Sequence, residues 1–190
     1  VHQAEDAGGD EVVELDAAGV DAHRPVQRAL GPQWLLEAGA RLERVRYEYD
    51  NRMIDGNTDE NGQPCPGGCL YSRPADRADT FTNLAPRLGL TWQPRANLAA
   101  WAALARGFRA PEATELYRLQ RQQSVADLDS EHVDAAELGL RWRGTALAFD
   151  LAAFRMNKRD VIVRDSAGFN LSGGRTRHRG FEYEFDWRLA

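Results

Sequence analysis

The sequence predicts an all-β protein, specifically an antiparallel up-and-down transmembrane β-barrel that is present here as a partial barrel of about six or seven strands. Three observations support this fold class. Segments that alternate apolar with polar residues recur along the chain. The connections between them alternate between short turns and long loops. The segments are also longer than most strands of soluble sandwiches, and a barrel wall alternates because every second side chain faces lipid.

The composition agrees with this prediction without identifying a barrel. The 190 residues are 43% hydrophobic and 28% charged, with a mean hydropathy of −0.57 and a net charge of −5. These values argue against a disordered chain and against a nucleic-acid partner. No apolar stretch approaches the roughly 20 residues of a membrane-spanning helix. The low mean hydropathy is compatible with a barrel wall because its inward side chains are polar.

The first long strand is predicted to begin at Trp34. Residues 1–33 support no more than a degenerate strand and a loop. From residue 34 to residue 42 every even position is apolar and alternates with Leu35, Glu37, Gly39 and Arg41. The apolar face then changes to the odd positions Val45, Tyr47 and Tyr49. Such a change of parity predicts a β-bulge. At about 3.3 Å per residue the segment 34–49 would extend roughly 50 Å, so we expect it to project above a bilayer.

Five further strands are predicted, at 82–92, 97–107, 131–143, 147–163 and 181–189. The Ala- and Leu-rich segment 97–107 has helical propensity, but Gly107 and Pro111 interrupt it and its neighbours are strands. Pro111 followed by Glu112 predicts a short helix over roughly 111–120. The last segment gives the strongest signal, because every odd position is aromatic or apolar and every even position is charged.

The connections predict an orientation in the membrane and an open edge. Short turns at 93–96 and 143–145 contrast with long loops at 51–80, 108–130 and 165–175. Outer-membrane barrels have short periplasmic turns and long extracellular loops. Residues 34–190 would therefore form the partial barrel. So few strands cannot enclose a wide lumen, and we expect an open, curved sheet with two unpaired edges.

The two cysteines predict a disulfide. Cys65 and Cys69 flank Pro66-Gly67-Gly68, which can fold tightly enough to bring them together. A disulfide in a polar loop implies an oxidising compartment. No second cysteine pair or nearby histidine could complete a zinc site, and the acidic loop 55–62 lacks the bidentate glutamate of a calcium loop. We expect neither a metal nor a cofactor.

The sequence contains no catalytic motif, and we predict that the protein is not an enzyme. The nearest approach to a catalytic pair is Glu131 beside His132. Adjacent residues of a strand point to opposite faces, so these two side chains would not meet.

The long loop 108–130 contains the candidate ligand-binding residues Arg109, Tyr117, Arg118 and Arg121. Arginine and tyrosine recognise anionic and hydrogen-bonding groups. The alternative is that these side chains pack the loop on itself and on its neighbours.

Residues from about Phe81 to Leu189 resemble the C-terminal part of a TonB-dependent outer-membrane receptor barrel. The resemblance lies in the order and spacing of several short runs: 83–90 (NLAPRLGL), 105–111 (ARGFRAP) with 115–117 (ELY), 127–131 (DLDSE) with 136–140 (AELGL), 154–157 (FRMN) and 179–182 (RGFE). Ser130 stands where the family usually has proline, and the region before Trp34 matches poorly.

This resemblance implies an energised importer in the outer membrane of a Gram-negative bacterium, most often for a ferric siderophore and otherwise for cobalamin, haem or glycans. It implies contact with outer-membrane lipid, with a siderophore or similar small ligand, and with the TonB complex through a plug domain absent from these residues. Two alternatives stay open at this point. One is a soluble all-β ligand-binding module, and the other is an outer-membrane barrel of another type.

Overall fold

The computed structural model describes residues 13–16, 26–51, 63, 71–72, 74–120, 123 and 125–187. Its elements in chain order are β1 (Val13–Asp16), β2 (Val26–Ala29), β3 (Trp34–Tyr49), β4 (Tyr71–Ser72), β5 (Arg77–Arg95), β6 (Leu98–Arg109), α1 (Ala113–Tyr117), β7 (Leu119–Gln120), β8 (Glu131–Arg143), β9 (Leu147–Arg164) and β10 (Asn170–Trp187). The all-β prediction is confirmed. No helix in these ranges is long and apolar enough to span a membrane.

An eight-stranded antiparallel sheet forms the wall, and among the described strands it is not closed, while β4 and β7 pair in a separate two-stranded sheet. The strands of the larger sheet follow the order β1-β3-β5-β6-β8-β9-β10. The short strands β1 and β2 pair with opposite ends of β3 and so occupy the same edge. Among the described strands β10 pairs only with β9 and forms the other edge. The predicted open sheet with two unpaired edges is therefore confirmed.

Several elements have different bounds from those predicted. β5 begins at Arg77 rather than at 82, and β10 begins at Asn170 rather than at 181. The predicted loop 165–175 is thus a turn of 165–169, in which the Asp165 carboxylate accepts the backbone N–H groups of Ala167 and Phe169 at 2.8 and 2.9 Å. This short turn lets β9 and β10 continue well beyond their apolar segments 147–153 and 181–187. β2 lies within the segment that the sequence left unassigned.

The β-bulge predicted in β3 is wrong. β3 pairs with β5 in one continuous register over its whole length. The apolar residues move from even to odd positions because the surroundings of the two faces change along the strand. In its upper half the inner face is covered by a loop and the outer face is polar. Tyr47 and Tyr49 point to the inner face, where they contact a buried cluster formed by the loop after β6, while Arg44 and Arg46 occupy the outer face. The change of parity therefore marks the level at which β3 rises above the apolar part of the wall.

The outer face of the sheet carries a continuous strip of apolar side chains, here called the apolar band. It is formed by the outward positions of 34–42, 84–92, 98–104, 136–142, 147–153 and 181–187. Leu84, Leu138 and Phe181 are 53%, 64% and 62% exposed. The band runs for roughly 20–30 Å along the strands at about 3.3 Å per residue, which matches the lipid-facing height of a membrane barrel.

The buried core lies at the opposite end of the sheet from the short turns. Its members are side chains of β3 and of the segment that follows β6: Tyr49, Leu116, Tyr117, Leu119, Ala126 and Leu128. The middle of the sheet has no comparable core among the described residues, because one face is apolar and exposed while the other is polar.

Candidate functional site

The inner face of the wall is lined by paired charges. Arg141 and Arg143 both bind the Asp150 carboxylate, Arg141 through Nε to Oδ1 at 2.6 Å. The Trp101 indole N–H donates to Glu137 Oε1 at 2.7 Å, and the Arg141 guanidinium lies 5.8 Å from the Trp101 ring centroid. Successive side chains of a strand point to opposite faces of the sheet. The residues that alternate with those of the apolar band therefore point to the inner face. The result is a polar surface rich in charged and hydrogen-bonding groups.

Tyr117, at the end of α1, is the centre of the buried cluster. Its side chain is 0% exposed, and its ring stacks on Tyr49 with the centroids 4.5 Å apart. Its hydroxyl donates to Asp79 Oδ2 at 2.9 Å. Burial, together with the hydrogen bond to Asp79, raises the pKa of Tyr117 far above that of a free phenol. Tyr117 therefore fastens the loop that contains α1 to the C-terminal end of β3 and to the N-terminal end of β5, on the inner face of the sheet.

Arg109, at the end of β6, pairs with two carboxylates, Glu115 and Glu131. Its guanidinium donates to both oxygens of Glu115 at 2.9 and 3.1 Å and to both oxygens of Glu131 at 3.2 and 3.0 Å. Glu131 lies directly opposite Arg109 in the ladder between β6 and β8. We call these three residues the Arg109 anchor. Bidentate pairing of this kind is both directional and strong.

Glu131 is the most constrained member of the Arg109 anchor. Its side chain is only 9% exposed, its Oε1 accepts the Ile162 backbone N–H at 2.9 Å, and the Lys158 ammonium lies 3.6 Å from Oε2. The hydrogen bonds from Arg109 outweigh the desolvation of the carboxylate and lower the pKa of Glu131 to about 2. Glu131 is therefore ionised at neutral pH.

Further hydrogen bonds fasten the loop to other strands. The Tyr47 hydroxyl donates to the Pro111 carbonyl at 3.0 Å. Asn170, at the start of β10, exchanges two bonds with the Gln123 side chain at 2.9 and 3.1 Å and donates to the Glu115 carbonyl at 2.9 Å. A capping box between Glu112 and Glu115 begins α1. The segment between β6 and β8 is thus held against β3, β8 and β10.

The structure places the predicted ligand-binding residues in different environments. Arg109 and Tyr117 hold the loop in place, and the side chain of Arg118, immediately after α1, is exposed. Arg121 lies outside the described residues, as do Cys65 and Cys69 and hence the predicted disulfide. Ligand contact by the four residues stays a prediction.

Sequence reasoning missed the partners Asp79, Glu115 and Glu131. The capping spacing between Glu112 and Glu115 was a local signal that could have singled out Glu115. No local signal pairs Arg109 with Glu131, because their opposition depends on the register of two strands.

His132 faces away from Glu131, and its Nδ1 lies 4.0 Å from Asp160, which agrees with the rejection of a catalytic pair. No group of acidic, histidine or cysteine side chains suited to a metal occurs in the described part of the chain.

Comparisons with known proteins give one family and several similar folds. Residues 26–190 match the family described as TonB dependent receptor-like, beta-barrel. This match extends upstream of Trp34, the point from which the partial barrel was predicted. No curated protein sequence matches the chain.

Three solved structures illustrate the similarity of fold. The ferric-catecholate import receptor Fiu from Escherichia coli K12 is 16% identical with a TM-score of 0.61, over 95% of this chain and 26% of that one. The copper transporter OprC is 15% identical with a TM-score of 0.70, over 95% and 28%. The hemophore receptor HasR from Serratia marcescens, solved with its hemophore HasA and heme, is 19% identical with a TM-score of 0.61, over 94% and 32%. The chain thus spans about a quarter to a third of these proteins.

Proposed function

The chain belongs to the TonB-dependent receptor-like β-barrel family, and from this premise we propose that it forms part of the wall and surface of an outer-membrane uptake receptor, in a non-catalytic role. The observation that carries this proposal is the apolar band, which faces outward across six neighbouring strands while the opposite face is charged. A soluble sandwich would bury that band against a second sheet.

The orientation in the membrane follows from the two ends of the sheet. Trp34, Trp92, Trp142 and Trp187 lie on the outer face near the short turns, where a barrel carries an interfacial aromatic girdle. The long connections and the buried cluster lie at the other end. We place the short turns in the periplasm and the loop between β6 and β8 at the cell surface of a Gram-negative bacterium, with outer-membrane lipid around the apolar band.

Lipid quenching of single tryptophans tests this placement. Trp142 points outward within the apolar band, whereas Trp101 points to the inner face and binds Glu137. Two variants would each keep one of these residues and carry phenylalanine at the other four tryptophans. In vesicles that contain a bromolipid we expect strong quenching of Trp142 and little quenching of Trp101, with the reverse for aqueous acrylamide. Equal quenching of both residues, or a chain that is monodisperse without detergent, would contradict the proposal.

For the ligand we propose a ferric siderophore. Two of the similar folds, Fiu and the ferric yersiniabactin uptake receptor FyuA from Yersinia pestis, import ferric compounds, although OprC transports copper and HasR was solved with heme. In this chain the exposed Arg118 would contact the anionic ligand together with Arg121, and Arg109 and Tyr117 would fix the loop that presents them. Coupling to the TonB complex would pass through a plug domain.

Uptake assays separate the possible ligands. Cells that carry the gene would be compared with a deletion strain for uptake of iron as ferric catecholate, ferric hydroxamate or haem, and for uptake of copper. We expect loss of a ferric siderophore signal in the deletion strain and a reduced signal for Arg118→Ala at unchanged protein level. Loss of copper or haem uptake alone would contradict the siderophore assignment and leave the receptor assignment intact.

A further inference from the structure

The outer face of β9 and β10 carries five arginines just above the apolar band. We call them the outer arginine cluster: Arg155, Arg159, Arg175, Arg177 and Arg179. Four of them, Arg155, Arg159, Arg175 and Arg177, line a shallow cleft together with Asp134, Asn157, Lys158 and Thr176. The fifth, Arg179, lies directly across from Arg155 on the neighbouring strand. The only lysine of the chain, Lys158, has its ammonium on the inner side, near Glu131. The cluster is therefore made of planar guanidinium groups alone.

The strand register opposes like charges within this cluster. Arg155 and Arg179 are direct cross-strand partners in the β9–β10 ladder. Two like charges at directly opposed positions destabilise a sheet, and an anion between them would remove this repulsion. A wall that needed only a polar surface here could have used serine, threonine or a carboxylate at either position. This placement indicates that something anionic joins the two guanidinium groups.

Carboxylates of the chain do not supply that anion. In the next row away from the apolar band, Asp134 binds Arg106 at 2.7 Å and Arg159 at 2.6 Å. Arg177 donates to the neutral Asn157 side chain at 3.2 Å. Within the described ranges, no carboxylate comes within ion-pair distance of Arg155, Arg175 or Arg179. The outer surface of β9 and β10 thus has several positive charges in excess.

The height of the cluster identifies the kind of anion. The row immediately below Arg155 and Arg179 is formed by Ala153 and Phe181, which belong to the apolar band. Phe181 and Tyr183 are 62% and 69% exposed on the outer surface. A molecule that satisfies both rows must carry an anionic group above and an apolar chain below. Lipids at the boundary of a bilayer have this arrangement.

We propose that the outer arginine cluster binds the phosphate groups of an outer-leaflet lipid whose acyl chains lie along Phe181 and Tyr183. Guanidinium groups match phosphate oxygens through paired, charge-assisted hydrogen bonds. The phosphate would relieve the repulsion between Arg155 and Arg179, and it would hold this part of the wall at a fixed depth. This inference rests on the proposed membrane placement.

The test measures lipid binding to the chain in detergent micelles, with lipid A, a bis-phosphorylated glycolipid, as the probe. Native mass spectrometry would compare the wild type with Arg155→Gln/Arg179→Gln. The control Arg87→Gln/Arg141→Gln removes the same charge from the inner face, where Arg143 still pairs with Asp150. We expect binding of lipid A to weaken at least about tenfold in the first variant and to be unchanged in the control. Dephosphorylated lipid A and phosphatidylcholine should bind weakly to all three proteins.

Each result bears on the inference. Equal binding of lipid A by the wild type and Arg155→Gln/Arg179→Gln would overturn it. If inorganic phosphate displaces lipid A at equal concentration, the cluster binds free phosphate as well as it binds the lipid. This result would overturn the assignment to a lipid. If bromolipid quenches Trp142 but Arg155→Gln/Arg179→Gln still binds lipid A, the phosphate site is refuted and the membrane placement is retained. Absence of that quenching would refute the membrane placement and the lipid site together.

Discussion

The Arg109 anchor predicts a large local effect of replacing Glu131 with glutamine. The pKa of Glu131 falls from 4.5 to about 2 in the folded chain, a difference of about 2.5 units. At 1.36 kcal/mol per unit the ionised carboxylate contributes about 3 kcal/mol. We therefore expect Glu131→Gln to lower the opening free energy of the segment 110–130 by about 3 kcal/mol, as for one broken buried ion pair.

The pH dependence has a definite sign. Because the folded-state pKa of Glu131 is depressed, its stabilisation is fully present above pH 4.5 and is lost as the pH falls toward 2. Amide hydrogen exchange of 110–130, followed by mass spectrometry of the chain in micelles, should show an opening free energy that declines over this range. In Glu131→Gln this decline should be absent, because the group that titrates has been removed.

Asp134 provides a matched control on the same strand. It also accepts hydrogen bonds from two arginines, Arg106 and Arg159, but on the outer face and with 36% of its side chain exposed. Its pKa is lowered chiefly by the bond from Arg106. Exposed pairs contribute up to about 1 kcal/mol, so Asp134→Asn should have the smaller effect on loop opening. If Glu131→Gln costs no more than Asp134→Asn, the Arg109 anchor does not hold the loop.

Three further predictions concern single side chains. Tyr117→Phe keeps the ring stack but removes the hydroxyl that binds Asp79, so we expect loop opening in hydrogen exchange to become easier by about 1–2 kcal/mol; an unchanged opening energy would refute the bond. In a spectrophotometric titration the Tyr117 phenol should ionise well above the ordinary tyrosine range because its pKa is raised. Tyr117→Phe should reduce the high-pH component, to which Tyr47, whose pKa is also raised, still contributes. A Cβ at Gly139 would lie 2.0 Å from the Trp101 ring, whereas a Cβ at Gly89 would meet only the Glu37 side chain, at 3.6 Å or more. Gly139→Ala should therefore destabilise the chain by about 1–3 kcal/mol and shift the tryptophan emission, and Gly89→Ala should do neither. Equal effects of the two substitutions would contradict this packing of Trp101 on Gly139.

The strands were predictable where their surroundings were uniform along their length. From Trp34 to Leu42 and from Phe181 to Trp187 the surroundings of each face stay the same along the strand. The alternation of apolar and polar residues therefore predicts both the strand and the direction in which its side chains point. The prediction failed in the upper half of β3. There Tyr47 and Tyr49 become inner-face core residues because a loop covers them, and a distant loop leaves no local signal.

Candidate side chains were harder to interpret than strands. Tyr117 and Arg109 have the composition of a ligand-binding loop, yet the structure gives them partners within the chain. An exposed arginine and an anchoring arginine are identical in sequence. The carboxylates that hold Arg109 come from α1 and β8, and the position of β8 opposite β6 depends on strands separated by a long loop.

The sequence by itself determined the class of the fold and the outward face of each long strand along the apolar band, because the pleat alternates with a period of two. The tertiary structure alone decided which side chains oppose one another. It placed Glu131 across from Arg109 and Arg155 across from Arg179. Such contacts depend on the register of hydrogen bonds between segments distant in the chain, and no local pattern encodes that register.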